Sequence, residues 1–241
     1  MQVSREYNSF GQGLTDGLPI CFGYLSVSFA FGIFTVANGL SALEALIISM
    51  TNVTSAGQLA AVPIIAGGGT LAELALSQFV INLRYSLMSV SLSQRLGNSV
   101  SFADRFWISF MNTDEVFALA SSRPDPVGRK YMAGLVLTPY LGWSVGTIAG
   151  ALMGDVLPGI VTDALGIAIY AMFVAIVVPD AKKSAPVALC AAAAAGISCL
   201  FRFLPRLSSV PGGFTVIICA VSAAAVTAAL APLPEQTGEG T

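Results

Sequence analysis

Residues 77–94 read SQFVINLRYSLMSVSLSQ, and this stretch decides what kind of protein the chain makes. It is long enough to cross a bilayer, sits in apolar sequence and carries Arg84 at its middle. An arginine at the centre of a membrane helix costs about 2.5–3.5 kcal/mol on insertion scales, so it is tolerated where it faces protein, water or an opposite charge. At about 100° per residue, Gln78, Asn82, Tyr85, Ser89 and Ser93 fall on one helical stripe. Ser77, Arg84 and Ser91 fall on a second, roughly opposite. A helix polar on two sides shows little of itself to lipid, so it is expected at the centre of a bundle. A structural arginine that snorkels, or pairs within the bundle, is the plainer alternative.

The rest of the chain fits that setting. Of its 241 residues 55% are hydrophobic and only 10% charged, with a mean hydropathy of +0.79. Soluble domains carry about a quarter charged residues, so an integral membrane protein is expected. The apolar runs are ~20 residues long and not ~10-residue alternating strands, which selects helices. The expectation is an all-α, polytopic membrane bundle of seven or eight transmembrane segments. It forms one domain over residues 1–231, followed by a polar, disordered tail at 232–241. A net charge of −2 implies no charged partner and leaves no basic patch for nucleic acid. The absence of histidine removes histidine proton relays, histidine-ligated metals and Ser-His catalysis, and no metal or cofactor is expected. The four cysteines lie in apolar runs without CxxC spacing and read as small core residues.

Taken in order, the first span is expected at about 17–38, GLPICFGYLSVSFAFGIFTVAN, where ordinary helix packing accounts for Gly32 better than for Pro19 and Gly23. The second run, about 43–66, has an unusual middle. Asn52, Thr54, Ser55, Gly57 and Gln58 stand where hydrocarbon should be, which suits a broken or re-entrant helix. Glu44 and Glu73 near its flanks are expected to be structural or solvated. A shorter run, 106–121 (FWISFMNTDEVFALAS), barely spans ~30 Å at ~1.5 Å per residue and holds Asn112, Thr113, Asp114 and Glu115. Two readings stand open. Arg84, the one basic residue deep in any other run, meets Asp114 or Glu115; or NTDE starts a helix near the surface, capped by its own carboxylates. Further runs lie at about 131–153, 160–178, 185–203 and 210–230. GLPICFGYLSVSFAFG at Gly17 recurs loosely as GLVLTPYLGWSVGTIAG at Gly134, a hint of repeated halves at about 14–121 and 131–231.

Five segments in fitting order carry a resemblance: PICFGYLSVSFAFG (19–32), SAGQLAA (55–61), NLRYSLMSVSL (82–92), TDEVFAL (113–119) and YLGWSVGTIAG (140–150). Together they resemble the AzlC-type branched-chain amino acid permease family, the larger subunit of a two-component exporter. That family often has proline at the position of Ser26 and histidine at that of Tyr85. The resemblance implies export of leucine, isoleucine, valine and sometimes methionine across the inner (plasma) membrane. It also implies a small AzlD-type membrane subunit as partner.

A zwitterionic substrate needs donors for its carboxylate and an acceptor for its ammonium. Arg84 is expected to serve the carboxylate, helped by Asn82, Gln58 and free backbone donors around Ser55 and Gly57. Gln78 and Tyr85 are expected to face the substrate on the same helix. Asp114 or Glu115 is expected to receive the ammonium, pair with Arg84 or carry a coupling proton. A channel, or a transporter subunit for another small solute, is the rival class. An intramembrane enzyme using Asp114, Asp155 and Asp163 is a distant third, since Asp155 and Asp163 sit at loop ends.

Overall fold

The computed structural model describes residues 8–154 and 177–231, together with Ile160, Ile167 and Val174. Every named element is a helix: α1 Phe10–Ala37, α2 Ala42–Thr51, α3 Ser55–Ala66, α4 Leu71–Ser93, α5 Phe102–Phe110, α6 Asp114–Ser121, α7 Arg129–Met153, α8 Ala185–Phe203 and α9 Gly212–Leu230. Four of these, α1, α7, α8 and α9, are long and apolar enough to cross a membrane. The 23-residue α4 is also long enough but carries Arg84 and its polar stripes. The run expected at 160–178 lies largely outside the described residues, as do Asp155, Asp163 and the tail 232–241.

The first helix begins at Phe10, earlier than the apolar pattern suggests, because Ser9 caps it by accepting from the Gln12 N–H. It packs along its length against α7. Glycines bring the two backbones close: a Cβ on Gly142 would sit 2.6 Å from the Cys21 carbonyl oxygen, and one on Gly17 2.8 Å from that of Leu135. Gly13 lies beside Tyr131, and Gly150 beside Phe29, so the two helices are parallel. Their matching ends define two ends of the molecule, one near Gly13 and Tyr131, the other near Gly32 and Ala151.

Both short polar runs are hairpins, and they enter from opposite ends. α2 starts after the tight turn at Gly39 (φ 86°), where Ser41 and Glu44 form a reciprocal cap. It descends beside α7, where Ser49 and Thr147 share a buried 2.6 Å hydrogen bond. The helix stops at Asn52, and α3 turns back: Val62 on α3 shares a core cluster with Phe31 and with Leu40 in the entry turn. α4 then runs the full height, antiparallel to α1. Its end meets the start of α7, where the Gly97 N–H donates to the Val127 carbonyl at 2.9 Å.

The second hairpin enters there. α5 starts at Ser101, whose reciprocal cap with Asp104 adjoins an Arg129–Asp104 ion pair of 2.9 Å. The Ser101 hydroxyl and N–H, and then the Trp107 indole N–H, hold the Asp104 carboxyl below the usual carboxylate range. α6 returns to the same end, where Arg123 pairs with Asp16 at 3.2 Å and Tyr131 donates to that carboxylate at 2.8 Å. The expected span at 106–121 is therefore two half-helices. At about 1.5 Å per residue, nine and eight residues reach only ~14 and ~12 Å, too short to cross.

Glu73 is buried and structural. Its carboxylate accepts the Gly213 N–H at 2.8 Å and so caps α9, which has no side-chain cap of its own. Glu73→Ala is expected to cost about 0.5–2 kcal/mol, as loss of a cap does, while Glu73→Gln keeps an acceptor and most of that stability. Thermal unfolding in detergent checks this, and equal melting points for Glu73→Ala and wild type would remove the capping role.

Candidate functional site

The two hairpin tips meet against the middle of α4. Asn52 at the first tip donates to Gln78 Oε1 at 2.9 Å, Gln78 Nε2 donates to the Gly57 carbonyl at 2.9 Å, and Asn82 leans on Gln78 at 3.4 Å. Asn112 at the second tip reaches Ser89 at 3.4 Å. One polar stripe of α4 thus holds both breaks in place. A polar break at membrane depth survives because its freed backbone groups find partners inside the protein.

Between the tips, α1 and α7 lies a cavity of about 430 Å³. That is within the ~300–1,000 Å³ typical of small-molecule sites. Pro19, Ile20, Gly23, Val27, Val53 and Ala56 form an apolar wall, and Tyr24 and Trp143 pack edge to face at 4.8 Å beside it. The polar wall holds Thr54, Ser55, Arg84, Tyr85, Thr113, Asp114 and Glu115. The Pro19–Gly23 cluster, poorly explained by packing, is cavity wall.

The Arg84 pairing is to Asp114, and NTDE does start a helix, but neither near the surface nor capped by its carboxylates. Thr113 caps α6 by accepting from the Val116 N–H, and the carboxylates stand in its first turn beside the middle of α4. There the helix dipole favours negative charge. Arg84 Nη1 donates to Asp114 Oδ2 at 2.5 Å, and Nη2 to the Tyr85 hydroxyl at 3.1 Å. Tyr24 donates to Glu115 Oε2 at 2.5 Å. Among the described residues no ion pair joins Glu115 to a cation, so the cavity keeps one carboxylate free of a salt bridge.

The sequence-selected residues separate into groups. Arg84, Tyr85, Ser55, Asp114 and Glu115 share the cavity. Gln78, Asn82 and Gly57 belong to the neighbouring network at the first tip. Gln58 is buried at 1% exposure, and among the described residues neither end of its amide has a partner. Gln78→Leu is expected to strand the Asn52 amide, costing about 1–3 kcal/mol. Gln58→Met removes an unpartnered amide at similar shape and is expected to hold or raise the melting point. A lower melting point for Gln58→Met than for Gln78→Leu would contradict this division. Trp143 and Thr54 carry no charge and were not singled out from sequence for this site; both line it.

The family model described as "AzlC protein" matches residues 19–157, from within α1 through both hairpins and α4 to the end of α7. The chain belongs to the AzlC family. Over 235 residues it is 27% identical to "Inner membrane protein YgaZ" of Escherichia coli (strain K12), covering 95% of this chain and 94% of that one. Over 175 residues it is 29% identical to an "Uncharacterized membrane protein" of Archaeoglobus fulgidus, covering 72% and 76%. No solved structure matches it. This AzlC-family chain is a membrane protein.

Proposed function

We propose that this AzlC-family protein is a secondary transporter that exports hydrophobic amino acids across the cell's inner (plasma) membrane by alternating access. The observation that carries this reading is the cavity itself. Two re-entrant hairpins from opposite ends meet at mid-height around a space with an apolar wall and charges of both signs. Such opposed broken helices suit a site exposed to each side in turn. A leucine-like solute would set its side chain against Pro19, Ile20, Gly23 and Val27, and its charged end against the hairpin tips. Leucine, isoleucine, valine and methionine are the proposed substrates on the strength of the family resemblance, with a small AzlD-type subunit as the proposed partner. Each added methylene is worth about 1–3 kcal/mol of discrimination in an apolar pocket, so a set of related substrates is expected, not one.

In this arrangement Arg84 and Asp114 neutralise each other and tie α4 to the second hairpin. Glu115, held by Tyr24, is the carboxylate left for a substrate ammonium or a coupling proton. Counterflow of labelled amino acids in proteoliposomes, with and without the small subunit, tests the reading. The expected result is saturable accumulation of leucine or valine against a preloaded pool. Flux that neither saturates nor counter-exchanges would favour a channel.

A further inference from the structure

The two hairpin tips present helix N-termini of opposite character to one cavity. α6 is filled at its start: Thr113 caps it, and it carries Asp114 and Glu115. α3 is empty there. Thr54, its cap residue, makes no side-chain cap hydrogen bond, and among the described residues the N–H groups of Ser55 and Ala56 have no acceptor. A free helix start concentrates positive potential and aims N–H donors at whatever lies beyond it. This feature alone would not mark a site.

Two further donors at the same cavity do. Among the described residues the Thr54 hydroxyl is buried with no hydrogen bond of full geometry, in a residue 5% exposed, and its polar neighbour is the Tyr85 hydroxyl. The Trp143 indole N–H is likewise unpartnered, in a residue 2% exposed. An indole nitrogen can only donate, so it asks for an acceptor that the described residues do not supply. Arg84 is engaged by Asp114 and Tyr85. Among the described residues, the donors without acceptors on this cavity's wall are therefore the start of α3, the Thr54 hydroxyl and the Trp143 indole, and the carboxylate outside any ion pair is Glu115.

We infer that the carboxylate of the transported amino acid docks at the N-terminus of α3, on the Ser55 and Ala56 N–H groups and the Thr54 hydroxyl, while its ammonium faces Glu115. Resting on the transporter reading above, this assigns the two poles of the substrate. It moves the carboxylate from Arg84, where the sequence had placed it, to a neutral set of donors. Arg84 then serves the fold of the site and not the ligand.

The test is equilibrium binding to the full chain in lipid nanodiscs with three probes. L-leucine carries both charges, L-leucinamide lacks the carboxylate, and 4-methylpentanoate lacks the ammonium. Wild type is expected to bind L-leucine about 30-fold or more tightly than either analogue, the scale of losing one or two charge-assisted hydrogen bonds. Ser55→Asp should fill the helix start with an attached carboxylate and lower leucine affinity by about 30-fold or more. Its melting point should not fall, because a negative charge suits that position. Thr54→Val, which keeps shape, should weaken leucine but not leucinamide. The Arg84→Gln/Asp114→Asn double variant should keep the preference for leucine over leucinamide. Unchanged leucine affinity in Ser55→Asp, or loss of the preference in the double variant alone, overturns the assignment and returns the carboxylate to Arg84. Failure of wild type to bind leucine would instead overturn the substrate reading itself, and this assignment with it.

Discussion

Arg84→Ala is expected to reduce amino acid export to the background of empty vesicles while leaving the protein in the membrane at near-normal levels. Both halves of that expectation follow from the geometry of the pair. The Arg84 and Asp114 side chains are 49% and 46% exposed into the cavity. Their contribution to stability therefore lies nearer the ~0–1 kcal/mol of an exposed pair than the ~3–5 kcal/mol lost on breaking a buried one. On the proposed transporter function, their contribution to the cycle is expected to be larger. The pair links α4 to the tip of the second hairpin, and Arg84 also holds Tyr85 at the cavity wall. Removing it leaves Asp114 without its cation at membrane depth, where an unpaired charge draws in water or a proton. Asp114→Asn alone should be equally inactive, because it strands the arginine. Transport assays paired with quantitation of membrane-inserted protein check this. Export at wild-type rate in both single variants would show that the pair is dispensable.

The second large effect is structural. Gly150→Leu is expected to abolish folded protein, since a Cβ there would overlap the Phe29 carbonyl of α1. The clash is with backbone, which cannot swing aside as a side chain can. Separating α1 from α7 would also pull the Tyr24–Trp143 wall away from the hairpin tips. Overpacking a core costs about 1–3 kcal/mol where side chains can adjust, and more is expected here. Gly196 in α8 is the control, because a Cβ there meets nothing within 4 Å. Size-exclusion profiles in mild detergent separate the outcomes: a monodisperse Gly150→Leu peak matching wild type would contradict the seam.

Much of this was legible in residues 77–94. One arginine deep in an apolar run demanded a carboxylate, and only Asp114 and Glu115 stood at comparable depth. The polar density at 52–58 likewise announced a break. What stayed hidden is instructive. The run 106–121 looked like a thin span because its length lay near the threshold. Yet SMTNVT (49–54) and SFMNT (109–113) share a serine, then an asparagine at the break, then a threonine that begins the returning helix. That shared pattern was the available signal for a second hairpin. Helical periodicity placed Gln78, Asn82 and Tyr85 on one face but could not say what faced them. Gln78 and Asn82 hold the first tip, whereas Tyr85 reaches the cavity. Trp143 escaped notice because an indole in an apolar helix reads as packing, and only burial without a partner exposes its free N–H.

Opposed hairpins also suggest how the site would change sides. Each tip is tied to α4 by a few side-chain bonds, Asn52 to Gln78 and Asn112 to Ser89, and the α3–α4 and α4–α5 connections lie at opposite ends. Releasing one tip would open the cavity toward one end while the other stays shut.

On the proposed function, the cavity between the tips holds the substrate. Thiol labelling of Ser55→Cys, in a variant whose four native cysteines have been replaced, reads its occupancy. L-leucine is expected to slow maleimide labelling at position 55 in proportion to its occupancy. Labelling of a Ser93→Cys control, at the far end of α4, should not change. Equal labelling at position 55 with and without saturating leucine, in protein shown to transport leucine, would contradict it.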